Sequence, residues 1–111
     1  MTKSNSIPRK LWRTAIWEEQ YSWQQHALIR IAERNIPQQV VLDIIANCDI
    51  LEDYPDDSPF PSALFMGVDG EGRPLHVVAS IEIERQWVYI ITAYDPDLRH
   101  FEQGFRKRRN Q

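Results

Sequence analysis

The spacing of apolar residues changes character near Cys48. Before it the period is helical. Ala27, Leu28, Ile31 and Ala32 recur on one side of a helix, and Ser22 offers a capping hydroxyl. This pattern predicts a helix from Ser22 to about Arg34, with Leu28 at the centre of its apolar side. Asn35-Ile36-Pro37 ends it, because the residue before a proline avoids the α region. Pro37 then suits the first turn of a second helix, whose buried stripe is Val40, Val41, Ile44 and Ile45 and which runs to about Asn47.

After Cys48 the period becomes alternating. Asp49 to Tyr54 reads as a short strand, followed by a turn-rich acidic loop through Phe60 and Pro61. Ser62 to Val68 reads as a strand, and Asp69-Gly-Glu-Gly as a hairpin turn. In the strand from Leu75 to Glu84, Leu75, Val77, Ala79, Ile81 and Ile83 share one face. His76, Val78, Ser80, Glu82 and Glu84 share the other. Trp87 to Tyr94 is the last strand, and Asp95-Pro96-Asp97 opens a short helix through Phe105. The order predicts an α+β fold: two N-terminal helices packed on a three- to four-stranded antiparallel sheet, then a short C-terminal helix. Residues 1–20 read as a loose arm, part of which Leu11, Trp12, Ile16 and Trp17 let dock as a short helix. Residues 21–104 read as one α+β domain and 105–111 as a basic tail.

A chain of 111 residues suits a single domain with a real core. Its apolar runs fall short of a membrane span, and no apolar stretch follows the N-terminal charges as a signal peptide requires. The one cysteine, Cys48, excludes an internal disulfide and fits a reducing cytoplasm. Net charge is −3, yet four of the 13 basic residues sit together at Arg106-Lys107-Arg108-Arg109. The body without them is clearly acidic, so a nucleic-acid role has to rest on a local basic patch. The acidic residues Glu52, Asp53, Asp56 and Asp57 lack a defined ligand spacing, so no metal or cofactor is expected there.

One such patch is available. His26, Arg30 and Arg34 stand at i, i+4 and i+8 and stack along one side of the predicted helix, beside Glu33. An imidazole next to two guanidiniums can grip a phosphate and move a proton; a solvated helix face has the same look. His76 lies mid-strand, either as a half-buried histidine with one hydrogen bond or as a general acid or base. Thr92 and Tyr94 share a strand face and either pack or donate to a phosphate. Arg73 follows the hairpin turn, which lacks the Gly-Lys-Ser/Thr ending of a phosphate loop. Three of the four tryptophans, Trp12, Trp17 and Trp23, crowd the N-terminal part, where they cover the core or make a homodimer contact.

His26-Ala-Leu-x-Arg30-x-x-Glu-Arg34-x-Ile36, then Gly72-Arg73-Pro74-Leu75-His76-Val77-Val78, then Ile91-Thr92-x-Tyr94-x-Pro96 form ordered blocks. With these blocks the chain resembles, from about Ser22 to Asp97, a widespread bacterial family of short proteins of unknown function. That family is placed near the RelE, ParE and BrnT toxins, in the barnase–EndoU–RelE-like group. The resemblance implies a helical pair ahead of an antiparallel sheet and metal-independent RNA cleavage as the ancestral chemistry. RNA and a cognate antitoxin-like protein are the partners it implies. The acidic balance of this chain departs from such ribonucleases, which tend to be basic. In cleavage of that type, a base takes the 2′-hydroxyl proton, an acid protonates the leaving 5′-oxygen and cations stabilise the phosphorane. His26 and His76 fit the first two roles and Arg30 or Arg34 the third; Arg73, Thr92 and Tyr94 fit substrate binding. The other reading is a non-catalytic binding module of the same fold.

Overall fold

A computed structural model describes residues 7–96, together with the backbone at 101–102 and 107–108. Its helices are α1 (Arg9–Trp17), α2 (Gln25–Glu33) and α3 (Gln38–Asn47). Its strands are β1 (Tyr21–Trp23), β2 (Asp49–Tyr54), β3 (Ser62–Val68), β4 (Pro74–Glu82), β5 (Trp87–Tyr94), β6 (Phe101–Glu102) and β7 (Lys107–Arg108). The first five strands form one sheet in the order β1-β5-β4-β3-β2.

The α+β class holds, but the predicted architecture is corrected in three ways. First, three helices and not two precede the meander, because the short helix expected in the arm is a full member of the packing. In α1, Trp12, Ala15 and Ile16 are buried at i, i+3 and i+4 spacing. The Trp12 ring meets Phe65 edge-on at 5.0 Å. Arg9 donates to the carbonyls of Ile45 (2.9 Å) and Cys48 (2.7 Å), and Arg13 to that of Ala46 (2.9 Å). These guanidiniums satisfy carbonyls that the C-terminal end of α3 leaves open.

Second, the sheet has five strands and is mixed. Tyr21–Trp23 pairs with Val88–Ile90 in parallel, so Ser22 lies in a strand and does not cap the helix. Its hydroxyl accepts from Trp87 Nε1 at 3.0 Å, and α2 begins only at Gln25. β2, β3, β4 and β5 form the expected antiparallel meander. β4 stops at Glu82, and Ile83 is exposed in the turn that follows.

Third, Asp95 and Pro96 are not helical, and Phe101–Glu102 pairs with Lys107–Arg108 as a small antiparallel hairpin where a helix through Phe105 was expected. Residues 97–100 and 103–105 of that expected helix, and Arg106 and Arg109 of the basic tail, lie outside the described residues.

The pleat gives the sheet two unlike faces. Ala63, Phe65, Leu75, Val77, Ala79, Ile81, Val88 and Ile90 point to α1 and α3 and are buried. We call this the proximal face. The distal face carries Ser62, Leu64, Met66, His76, Val78, Ser80 and Tyr89. A bulge between Val78 and Ala79 on β4 absorbs Ile91 of β5, so Thr92 opposes Val78 and Tyr94 opposes His76 on the distal face.

Helix α2 lies along the edge of β5 beyond the end of β1. Its inward line is Ala27 and Ile31, while Leu28 and Ile29 are exposed. Asn35, at φ 57°, ends the helix, and the Ile36 N–H closes back on the Ile31 carbonyl at 2.9 Å. The left-handed residue, rather than the proline, makes this turn. Among the described residues no helix is long and apolar enough to cross a membrane.

Candidate functional site

The polar row on α2 is displaced from its expected position. With Ala27 and Ile31 facing inward, the helix is turned by nearly one residue relative to a Leu28-centred one. His26 and Arg30 are exposed, and Arg34, at the end of the helix, is half-buried. The row therefore flanks the buried line instead of opposing it.

Handedness decides which sheet face the row serves. Val88 and Ile90 point their side chains to the proximal face and bond β1 on the other edge: Val88 N–H to Gln20 O, and Ile90 O from Gln24 N–H, each at 3.0 Å. An L-residue in a rising strand with its side chain toward the viewer directs N–H and C=O to the right. Seen from the proximal face, β1 and α2 thus lie to the right of the rising β5. A right-handed helix rising there, with Ala27 and Ile31 turned left, carries Arg30 and Arg34 around to the distal side. Leu28 and Ala32 turn to the proximal side.

Thr92, Tyr94 and His76 occupy that same distal face. Tyr94 meets His76 edge-on, with ring centroids 5.5 Å apart. His76 is wholly buried, although nothing in its alternating surroundings predicts so complete a burial. Thr92 and Tyr94 stay half-buried at the α2 edge of the sheet. Among the described residues no hydrogen bond, ion pair or ring contact joins His26 or Arg30 to His76. One guanidinium nitrogen of Arg34, Nη1, is buried with no hydrogen-bond partner among the described residues.

Arg73 is engaged elsewhere. Its guanidinium donates to the carbonyls of Arg34 (3.3 Å) and Asn35 (3.2 Å) and to Asp69 Oδ2 (3.1 Å), and lies 3.6 Å from Asp95. It clasps the end of α2 to the β3–β4 turn. Sequence reasoning missed this because the acceptors are backbone carbonyls, which leave no mark in residue types. Gly72, at φ 85°, supplies the left-handed turn that brings Arg73 back onto Asp69.

Other chemistry is muted. Burial first, and Asp49 second, push the Cys48 thiol above its ordinary pKa, which disfavours a reactive thiolate. A hydrogen bond to Glu82 raises the Tyr89 phenol. Among the described residues no three His, Cys, Asp or Glu side chains cluster as a metal site would require.

A cavity of about 310 Å³ adjoins the α2 end of the distal face, lined in part by Gln24, Phe60, Ser80 and Tyr89. No curated protein and no solved structure matches the chain. One family model does: residues 23–95 match the domain of unknown function DUF4258, and the chain belongs to that family.

Proposed function

We propose that this domain is a RelE-like, metal-independent endoribonuclease whose reaction takes place between α2 and the distal face of β5. The observation that supports this reading is the turn of α2: it sends His26, Arg30 and Arg34 to the side of the sheet that carries Thr92 and Tyr94. His26 takes the proton of an RNA 2′-hydroxyl, and the 2′-oxygen attacks phosphorus. The bond from phosphorus to the 5′-oxygen breaks, and the Tyr94 hydroxyl gives that oxygen its proton. The products are a 2′,3′-cyclic phosphate and a 5′-hydroxyl. Solvent then carries the proton from His26 back to Tyr94. Arg30 and Arg34 stabilise the charge that grows on the non-bridging oxygens, and Thr92 donates to one of them.

His76 takes a different part from the acid or base that its residue type suggests. Fully buried, it does not touch RNA; it acts through the Tyr94 ring as a positioning residue. Arg73 acts one step further away, by fixing the end of α2. In a toxin-like setting, a cognate antitoxin-like partner would cover the cationic row with acidic groups.

His26→Ala should lower RNA cleavage by about 10²- to 10⁴-fold, the usual worth of a positioned proton-transfer group. Because His26 is exposed, the melting temperature should stay the same. Cleavage equal to wild type would remove the reading. The burial of His76 favours a second reading, a non-catalytic RNA-binding module. Stoichiometric RNA binding by the wild-type chain with no product between pH 5 and 9 would establish it.

A further inference from the structure

We propose that the cavity between the acidic loop and β5 is a nucleobase subsite, which rests on the ribonuclease reading and gives its site a means of choosing where RNA is cut. The cavity is at the lower end of the roughly 300–1,000 Å³ range of small-ligand sites, suited to one base and part of its ribose. Its shape is set by two aromatic rings. Phe60 from the loop and Tyr89 from β5 lie parallel within 6°, centroids 5.6 Å apart. Such an offset pair is a flat π surface on which a third planar ring can stack.

The surface is held in place from both sides. The Tyr89 hydroxyl donates to Glu82 at 2.8 Å, which fixes the ring on the sheet. The Ser62 hydroxyl donates to Asp57 Oδ2 at 2.6 Å, and the Ser58 N–H to Asp57 Oδ1 at 3.2 Å, which pins the loop that carries Phe60. Around the rings stand groups suited to the edge of a base. The Gln24 amide offers both a donor and an acceptor, the Ser80 hydroxyl offers the same, and Asp57 keeps spare lone pairs for an N–H.

Charge sorts the two halves of a nucleotide. Asp57 repels phosphate, so the base, not the phosphate, belongs beside it. The cations stand at the neighbouring element: Gln24 immediately precedes α2, two residues before His26, and Ile91 of the cavity precedes Thr92. A nucleotide with its base on Phe60 thus directs its phosphate along β5 toward the His26–Arg30 row.

The test needs no catalysis. The full-length chain is titrated with cytidine 5′-monophosphate and, separately, with ribose 5-phosphate, and binding is read by calorimetry and by backbone amide shifts. The nucleotide should bind more tightly than the sugar phosphate and shift the amides of Gln24, Phe60, Ser80 and Tyr89. Phe60→Ala should weaken nucleotide binding by about tenfold and leave ribose 5-phosphate binding unchanged. Gln24→Ala, at an exposed position, should weaken it several-fold and carries the test if the loop variant misfolds. Equal affinity for both ligands, or nucleotide affinity unchanged in Gln24→Ala and in folded Phe60→Ala, overturns the proposal. Nucleotide binding at these residues by a chain that cuts no RNA would sink the nuclease reading and keep the subsite. RNA cleavage with the same base dependence in Phe60→Ala would do the reverse.

Discussion

The two faces of one sheet in this molecule follow different rules. The proximal face is apolar throughout, and each side chain on it meets α1, α3 or its strand neighbours. The distal face buries His76 completely and Ser62 and Ser80 almost so, alongside Leu64. Burial of polar groups costs free energy unless they are hydrogen-bonded, whereas apolar burial stabilises at about 25 cal/mol per Å². Ser62 meets this cost through its hydrogen bond to Asp57. The proximal face thus carries the packing, and the distal face holds the polar side chains on which the proposed recognition would rest.

The comparison breaks most sharply at Phe65. This ring is fully buried, packs edge-on against Trp12 and lies under the Arg9 guanidinium at 5.2 Å. Phe65→Ala removes the centre of the proximal packing and should cost about 3–5 kcal/mol, read as a lower urea midpoint. RNA or nucleotide binding by the fraction that remains folded should be unchanged. A specific loss of binding at full stability would mean that the two faces are not separate in function.

Gly67 sharpens the same point from the side of volume. A Cβ there would stand 2.7 Å from Ile44 Cγ1 and 2.8 Å from Cys48 Sγ. Gly67→Ala should therefore force α3 away from β3 and destabilise by about 1–3 kcal/mol. A thermal melt that does not move would show that α3 shifts freely over the sheet.

How much of this could be read in the sequence follows from the range of the interactions. β3, β4 and β5 are legible because alternation is local, and α3 because Val41, Ile44 and Ile45 repeat at helical spacing. β1 is not: it has three residues, and its partner strand begins 64 residues beyond its end. Without that pairing, Ser22 reads as a cap and α2 starts too early. The turn of α2 then goes astray, because Leu28 is a larger apolar residue than Ala27 and draws the centre of the pattern to itself. The chemistry-bearing residues on the distal face are legible as types, since alternation places His76 opposite Leu75 and Val77. Their neighbours are not, because the bulge at Ile91 decides that Tyr94, and not Ala93, stands beside His76.

Arg73 joins the end of α2 to the β3–β4 turn, so its loss should be felt in stability and in the placing of the cationic row. Arg73→Ala would free the carbonyls of Arg34 and Asn35 and unclasp α2 from the β3–β4 turn. The side chain is about one-third exposed, so solvent takes over part of these bonds, and a cost of about 1–2 kcal/mol is expected. Arg73→Lys should rescue little, because one ammonium cannot reproduce a guanidinium that bonds Asp69 and two carbonyls at once. If either variant also slows RNA cleavage beyond its effect on the folded fraction, the clasp positions the cationic row. Full rescue by lysine would reduce the clasp to a point charge.

The smallest effect concerns the carboxylate at the base of that clasp. Asp69 accepts the N–H groups of Arg73 (2.9 Å) and Glu71 (2.8 Å) and pairs with the Arg73 guanidinium. The backbone hydrogen bond from Arg73 and then that from Glu71 hold its pKa below the ordinary value. The folded state thus binds the proton less readily than the unfolded chain, so this contribution is complete above about pH 4–5. It falls away as the pH drops through the folded-state pKa. Asp69→Asn keeps the acceptor oxygen for the turn and removes the titration. The variant should be slightly less stable than wild type at pH 7, and the gap should close on acidification, read as converging urea midpoints between pH 6 and pH 3. A gap that stays constant across that range would mean that Asp69 serves the turn by shape alone, and that the clasp needs no charge.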